Sequence, residues 1–107
     1  MSEEQVIEKI RGIASNVLPN GSTMYLYGSR ARGDSHEDSD WDLLILLDRD
    51  QLNRSEAEDI SFPFTDMGWD IGEDISARVF TKQRWEQGPH TLFYFNVERD
   101  KKQIYES

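Results

Sequence analysis

The sequence predicts an α/β (α+β) fold: one small mixed β-sheet with helices packed on it, in a single domain spanning residues 1–107. Helix-type and strand-type hydrophobic patterns follow one another in the order α-β-β-α-β-α-α-β, which is typical of this class. The apolar run in residues 41–48, WDLLILLD, is nearly unbroken, so we expect a central strand covered on both faces. A hydrophobic content of 36% is enough for one modest core.

The composition excludes several classes of function. The formal net charge of -9 repels nucleic acid, so sequence-specific nucleic-acid binding is not expected. The chain has no cysteine, which excludes disulfides and thiolate metal sites. No apolar stretch approaches the roughly 18 residues of a membrane span, and the acidic segment MSEEQVIEKI does not resemble a signal peptide. We therefore expect a cytoplasmic protein with no membrane partner.

The first half of the chain has clear element boundaries. Apolar residues recur every three or four positions in residues 2–18, which predicts an amphipathic helix with Ser2 as its N-cap. The segment TMYLY at 23–27 has the aromatic and branched composition of a short strand, which Gly28 ends. Residues 29–39 are polar and predict a loop that leads into the central strand, with one helical turn at its start.

The second half begins with a loop and helix in residues 49–68, with Ser55 as a candidate N-cap and the part after Pro63 left open. Residues 69–80 predict a third strand, because the side chains alternate at its end. One face of that strand is expected to carry Ile75, Ala77 and Val79, and the other Asp74, Ser76, Arg78 and Phe80.

Short elements and aromatic residues complete the pattern. A short helix capped by Thr81, a helix at 91–99 and a short strand at 103–106 are predicted. The tryptophans are expected to be packed in the interior: Trp41, Trp69 and Trp85. The run Phe93-Tyr94-Phe95 has two equal interpretations, either an exposed patch that meets a partner or the closure of a small core.

Two aspartates at the entrance to the central strand form the first candidate site. Asp40 and Asp42 share one face of a strand and lie about 6.6 Å apart along the chain. If both are ionised and about 4 Å apart, they repel by on the order of 4 kcal/mol at an effective dielectric constant near 20. A divalent cation would relieve this repulsion, and Mg²⁺ commonly binds one or two carboxylates together with substrate phosphates.

The turn before the aspartates is suited to phosphate. Gly28 would let the backbone approach a phosphate closely, and Ser29 offers a hydroxyl and a backbone N–H. Arg30 and Arg32 offer forked donors for phosphate oxygens. Each feature alone is common in proteins, but the combination is a specific constellation, and it predicts a phosphate-bearing substrate.

Gly28-Ser29, the ten residues that follow and Asp40-Trp41-Asp42 resemble the signature of the DNA polymerase β-like nucleotidyltransferase superfamily. The likeness is greatest to its minimal prokaryotic domains, and the segment 27–47 also looks like the motif of aminoglycoside nucleotidyltransferases. The resemblance implies a polymerase β-like core and transfer of a nucleoside monophosphate, AMP from ATP, to a hydroxyl acceptor with release of pyrophosphate. It also implies that Asp40 and Asp42 hold one or two Mg²⁺ ions, with Mn²⁺ as a substitute.

The resemblance also implies a third catalytic carboxylate on the neighbouring strand, and here the chain departs from the pattern. The alignment places Ser76 at that position. Asp74 is the first substitute, with Asp70 on the same face if the strand extends so far. A solvated start of the strand with no catalytic role is an equal alternative.

Partners follow from the same resemblance. Minimal members of the superfamily often pair with a small helical protein of the HEPN (higher eukaryotes and prokaryotes nucleotide-binding) type, and some act as its antitoxin. An antitoxin-like subunit that masks such a partner, with weak or no catalysis, is therefore the alternative function. A homodimer mate could also complete the acceptor site. A third alternative is an acidic metal-binding domain that binds no nucleotide.

Overall fold

The computed structural model describes residues 1–107 and contains one four-stranded sheet. The strands are β1 (Thr23–Tyr27), β2 (Trp41–Leu47), β3 (Ile75–Thr81) and β4 (Lys102–Glu106), in the spatial order β3-β2-β1-β4. Strand β1 pairs antiparallel with both β2 and β4, whereas β2 and β3 are parallel. The sheet is therefore mixed, and the predicted fold class is confirmed.

Five helices cover the two faces of the sheet: α1 (Glu3–Val17), α2 (Ser29–Arg32), α3 (Arg54–Ile71), α4 (Lys82–Gln87) and α5 (Leu92–Asp100). Helices α1 and α3 pack on one face around the main core, to which β2 contributes Leu43, Ile45 and Leu47. Helices α4 and α5 pack on the other face, around Leu44 and Leu46. Because every residue of β2 from Leu43 onward is buried, the prediction of a central strand covered on both faces is confirmed.

The first helix is fixed by its cap, as the sequence predicts. The Ser2 side chain accepts a hydrogen bond from the backbone N–H of Gln5, and the Gln5 side chain accepts one from the backbone N–H of Ser2. This capping box satisfies two of the N–H groups that a helix start leaves free. Val6, Ile10 and Ala14 form the buried stripe of the helix.

Helix α3 differs from the prediction at both ends. Its N-cap is Asn53 and not Ser55, because the Asn53 side chain accepts a hydrogen bond from the N–H of Glu56 in a capping box. The helix continues through Pro63 to Ile71 and ends at Gly72, which has a φ of 77°. Residues 69–71 are therefore helical, and the predicted strand 69–80 is wrong at its start because β3 begins only at Ile75.

The tryptophans do not all pack in the interior. Trp41 and Trp85 are buried, but Trp69 is 62% exposed on the outer face of α3. The ring of Trp69 meets only the edge of Phe62, which is 54% exposed, at a centroid separation of 6.1 Å. The prediction that Trp69 is a packing residue is wrong, because its side chain lies on a helix surface and not on a covered strand.

The aromatic run of α5 divides between the two interpretations. Phe93 and Tyr94 pack against the second core, whereas Phe95 is 58% exposed beside the exposed Leu92. No helix of the structure combines the length and apolar character needed to cross a membrane.

Candidate functional site

The two aspartates lie where β2 begins. Asp42 is the second residue of β2, between Tyr27 of β1 and Ser76 of β3 in the sheet register. Asp40 precedes the strand and is exposed, whereas Asp42 is half-buried. Because side chains alternate along a strand, Asp42 points to the face that α4 and α5 cover, on the same side as Leu44.

The surroundings of Asp42 disfavour the charged form of its carboxyl group. Burial raises its pKa above the ordinary value of 3.8, and the charge of Asp40 raises it further. The guanidinium groups of Arg78 and Arg32 act in the opposite direction. The net effect is a raised pKa, so a cation near both carboxylates would be favoured.

Gly28 lies directly beside the Asp42 carboxylate. Its φ is 75° and its ψ is -159°, a backbone conformation that is essentially restricted to glycine. A Cβ atom at this position would lie 2.5 Å from Oδ2 of Asp42, closer than real Cβ contacts. The close approach of turn and carboxylate therefore requires glycine, and it joins two parts of the predicted motif in one place.

Ser29 opens the single turn of α2 directly after Gly28. The Gly28 carbonyl accepts hydrogen bonds from the N–H groups of Ala31 and Arg32, and the turn ends at Gly33 with a φ of 83°. This turn is too short to be an anion site by itself. Its relevance is that it holds Ser29 beside the residue that contacts Asp42.

Arg30 is engaged within the protein. Its side chain is 6% exposed, and its guanidinium donates to the Ser39 carbonyl at 2.9 Å and lies 4.5 Å from the centre of the Trp41 ring. It also pairs with Glu3 at 3.5 Å and with Glu73 at 4.0 Å. These contacts fix the polar loop 33–40 on the core, and they leave Arg30 few donors for a phosphate.

Arg32 is paired, but it remains accessible. Its side chain is 41% exposed and forms ion pairs with Asp34 at 3.1 Å and with Asp100 at 2.9 Å. Arg99 also pairs with Asp100, and the two guanidinium groups lower the pKa of Asp100 from 3.8 to about 2. Arg32 is close enough to Asp42 to lower its pKa as well.

The register places Ser76 directly beside Asp42, at the position where the resemblance calls for a third carboxylate. Asp74 lies just before β3, is exposed, and accepts a hydrogen bond from the N–H of Trp41 through its carbonyl at 2.9 Å. Asp70 belongs to α3, so it is not an extension of the strand face.

No group of three or more His, Cys, Asp or Glu side chains in the structure is arranged to hold a metal ion. The candidate donors at the site remain the pair that the sequence predicts, Asp40 and Asp42. Two carboxylates fit Mg²⁺, because this ion commonly binds one or two of them and completes its shell with water and substrate phosphates.

Three residues that the motif did not identify also border the site. Tyr27 pairs with Asp42 in the register, and its ring meets the edge of Phe93 at 5.7 Å. The guanidinium of Arg78 lies 4.8 Å from the centre of the Phe93 ring. Burial raises the pKa of Tyr27, and the Asp42 charge adds to that increase. The sequence feature that could have identified Arg78 is the alternation of side chains along β3, because it puts Arg78 on the same face as Ser76.

His36 is exposed in the polar loop; its backbone N–H donates to the Ser39 hydroxyl, and its carbonyl accepts from the N–H of Ser39. A cavity of about 740 Å³ lies at the other end of β3, between α4 and the segment that joins β2 to α3. It contains none of the predicted site residues.

Residues 8–107 match the family model described as "Polymerase beta, Nucleotidyltransferase". No curated protein matches the sequence. Among solved structures, a toxin–antitoxin structure with AMP-PNP has a TM-score of 0.67 at 19% identity, covering 94% of this chain and 73% of that one.

Two other solved structures are similar. In the complex of a tri-AMPylated HEPN toxin with an MNT antitoxin from Shewanella oneidensis, the matching chain has a TM-score of 0.66 at 16% identity, with 99% of this chain and 74% of that one covered. A Sulfolobus solfataricus protein described as a nucleotidyltransferase has a TM-score of 0.66 at 20% identity, with coverages of 96% and 82%. At these identities the structures establish a shared fold.

Proposed function

Because the chain belongs to the polymerase β nucleotidyltransferase family, we propose that it transfers a nucleoside monophosphate, AMP from ATP, to a hydroxyl acceptor and releases pyrophosphate. The observation that carries the proposal is the contact between the Gly28-Ser29 turn and the half-buried Asp42, whose carboxylate faces the charge of Asp40. The reaction would take place in the cytoplasm, where nucleoside triphosphates are abundant.

Each predicted site residue has a role in this proposal. Asp40 and Asp42 hold one or two Mg²⁺ ions, which Mn²⁺ can replace. When bound, the cation neutralises the triphosphate and favours deprotonation of the acceptor hydroxyl. Gly28 and Ser29 hold the β- and γ-phosphates through backbone N–H groups and the serine hydroxyl.

The arginines of the motif have different roles. Arg32 is exposed, and it can give up its ion pair with Asp34 to bind a phosphate oxygen while it keeps its ion pair with Asp100. Arg30, which the sequence also assigns to phosphate, is given a positioning role here because its guanidinium is already bound to the Ser39 carbonyl.

The chemical step is an in-line displacement. The acceptor oxygen forms a bond to the α-phosphorus, and the bond from that phosphorus to the bridging oxygen breaks, with the electron pair leaving on pyrophosphate. We assign the proton of the acceptor hydroxyl to Asp74, the exposed carboxylate at the start of β3. Asp74→Asn should then lower turnover while the affinity for the nucleotide stays unchanged, and weaker nucleotide binding would contradict this assignment.

The first test is a titration with a non-hydrolysable ATP analogue, with and without Mg²⁺, followed by backbone amide shifts in NMR. We expect Mg²⁺-dependent shifts at Gly28, Ser29, Asp40 and Asp42. Asp42→Asn should abolish them, whereas Asp59→Asn, an equal charge change on an exposed face of α3, should not. The absence of shifts at millimolar nucleotide would refute the proposal.

Ser29→Ala separates this function from that of a metal-binding domain without nucleotide. The proposed site predicts that the variant loses nucleotide affinity. A domain that binds metal alone predicts no nucleotide binding in either protein and unchanged Mg²⁺ binding in the variant.

A second candidate is an antitoxin-like subunit that masks a helical HEPN-type partner, with weak or no catalysis. Two exposed apolar pairs favour it: Phe62 with Trp69 on α3, and Leu92 with Phe95 on α5. Such pairs on an otherwise charged surface suit a protein partner, or a second copy of this chain.

Co-expression with a helical HEPN-type toxin separates the two candidates. If the chain acts as an enzyme on its partner, protection of the host cell should require Asp42, and the toxin should gain the mass of an AMP group. If it acts by masking, Asp42→Asn should protect as well as the wild type, whereas Trp69→Ser or Phe95→Ser should not.

A further inference from the structure

Arg78 lies on the face of the sheet that carries Asp42. It lies on β3 two residues after Ser76, opposite Leu44 in the register, so its side chain points to the same face as Asp42. Its guanidinium rests 4.8 Å from the centre of the Phe93 ring. Phe93 is in turn held against Tyr27, the neighbour of Asp42 on β1. The aromatic contacts therefore hold a positive charge beside the carboxylate site.

Arg78 also forms no salt bridge within the chain, although its charge acts on the nearby Asp42 carboxyl group. Arg30 and Arg32 both form ion pairs. Three of the four carboxylates in these pairs belong to residues outside the motif. Arg78 takes part in no ion pair. In a chain with a net charge of -9, an arginine without a carboxylate partner beside two aspartates is available for an anionic ligand.

The charge of the site gives Arg78 a role. A site with three carboxylates can hold two divalent cations, but here the position beside Asp42 is Ser76. Asp40 and Asp42 together neutralise one divalent cation, and Asp74, the next carboxylate along this edge, is assigned to the proton of the acceptor hydroxyl. A triphosphate still brings several negative charges, and a fixed guanidinium can neutralise part of them with forked hydrogen bonds.

We propose that Arg78 is a nucleotide-binding residue that takes the place of a second metal ion, so that the chain binds its nucleoside triphosphate with one divalent cation. The guanidinium contacts phosphate oxygens on the Ser76 side of the site, and Phe93 keeps it oriented there. This inference rests on the proposed function and adds to it the number of metal ions and a residue outside the motif.

The test uses the whole chain, AMP-PNP as the nucleotide and Mn²⁺ as the probe metal. Electron paramagnetic resonance counts the Mn²⁺ ions in the complex, and calorimetry measures the affinity for AMP-PNP. We expect one Mn²⁺ per complex in the wild type. Since hydrogen bonds to charged groups are among the strong ones, Arg78→Ala should weaken AMP-PNP binding about 10- to 100-fold.

Matched variants make the result specific. Arg84→Ala removes an equal charge from an exposed arginine of α4 that has no ion pair, and it should leave the affinity unchanged. Arg78→Lys should recover part of the affinity, because it restores the charge without the fork. Ser76→Asp should raise the count to two Mn²⁺ ions and make the affinity less dependent on Arg78.

Three outcomes would overturn the inference: two Mn²⁺ ions in the wild-type complex, equal affinities in Arg78→Ala and Arg84→Ala, or a Ser76→Asp variant that still binds one ion. The first two leave the proposed function intact, because the wild type binds the nucleotide in both. If the wild type binds no AMP-PNP in the presence of Mn²⁺, the proposed function fails together with the inference.

Discussion

Replacing Gly28 with alanine tests the contact on which the site depends. The backbone at Gly28 has φ 75° and ψ -159°, a region that costs another residue about 1–3 kcal/mol. The new Cβ would lie 2.5 Å from Oδ2 of Asp42, so the carboxylate must also rotate away. Moving a side chain off its rotamer costs roughly 0.5–1.5 kcal/mol. We therefore expect a loss of about 2–4 kcal/mol in the free energy of unfolding.

That loss should leave the variant folded at room temperature, because a chain of this size has roughly 5–15 kcal/mol of stability. The melting temperature should fall by roughly 8–32 °C, at about 4–8 °C per kcal/mol. The affinity for Mg²⁺ and nucleotide should be lost as well, since the Asp42 carboxylate is displaced. Urea unfolding and calorimetric titration of the same preparation measure the two effects.

Two other glycines provide the controls. Gly33 has a φ of 83°, but a Cβ added there would meet nothing within 4 Å, so Gly33→Ala isolates the backbone strain of about 1–2 kcal/mol. Gly12, inside α1, also has open space and an ordinary φ, so Gly12→Ala should stabilise the helix by about 0.5–1 kcal/mol.

A double variant then isolates the clash with the carboxylate. In Gly28→Ala with Asp42→Ala, only the Cβ of residue 42 remains near the new methyl group, at an ordinary 3.6 Å. Asp42→Ala should therefore restore the part of the lost free energy of unfolding that comes from the clash and not from the strained backbone. If Gly28→Ala is no less stable than Gly33→Ala and keeps its nucleotide affinity, the reasoning is wrong.

Three further expectations follow from burial and charge, and urea unfolding checks each of them. Because the pKa of Asp42 is raised, the folded chain binds that proton more tightly than the unfolded chain, so stability should fall as pH rises through this pKa, and Asp42→Asn should remove the fall. The pKa of Asp100 is lowered to about 2, so its contribution is present above pH ~4 and is lost as pH falls toward 2; Asp100→Asn should lose it at every pH. Phe64 is 0% exposed, and Phe64→Ala should cost about 3–5 kcal/mol, whereas Phe62→Ala on the same helix should change stability by less than about 0.5 kcal/mol. A flat pH profile for the wild type, or equal losses for the two phenylalanines, would contradict these expectations.

The parts of the fold that the sequence predicts well are those in which one local rule decides. The apolar run of β2 is unbroken, and a strand with both faces covered is the simplest structure that buries it. Ser2 is followed three residues later by Gln5, which is sufficient for a capping box. Gly28 follows a strand, and its positive φ is required to bring the turn onto Asp42. In each case the pattern that decides the feature lies within one short stretch of the sequence.

Helix α3 shows where local rules are insufficient. Pro63 inside a helix costs about 3 kcal/mol, so the sequence alone favours a break at that point. The helix continues because Phe64, Met67 and Gly68 are buried against the sheet, and their packing outweighs the local cost. Gly72 gave a usable signal for the end, since a glycine with positive φ commonly follows the last helical residue.

The arginines show the same limit within the site. Arg30 lies inside the motif, yet its guanidinium is held by Ser39 and the Trp41 ring, partners that only the folded loop brings together. Arg78 lies outside the motif, yet the parallel pairing of β2 and β3 sets it on the Asp42 face without an ionic partner. Residue type and motif distance do not distinguish these two side chains. What distinguishes them is that the fold supplies two carboxylates and a carbonyl for the guanidinium of Arg30 and no salt-bridge partner for that of Arg78.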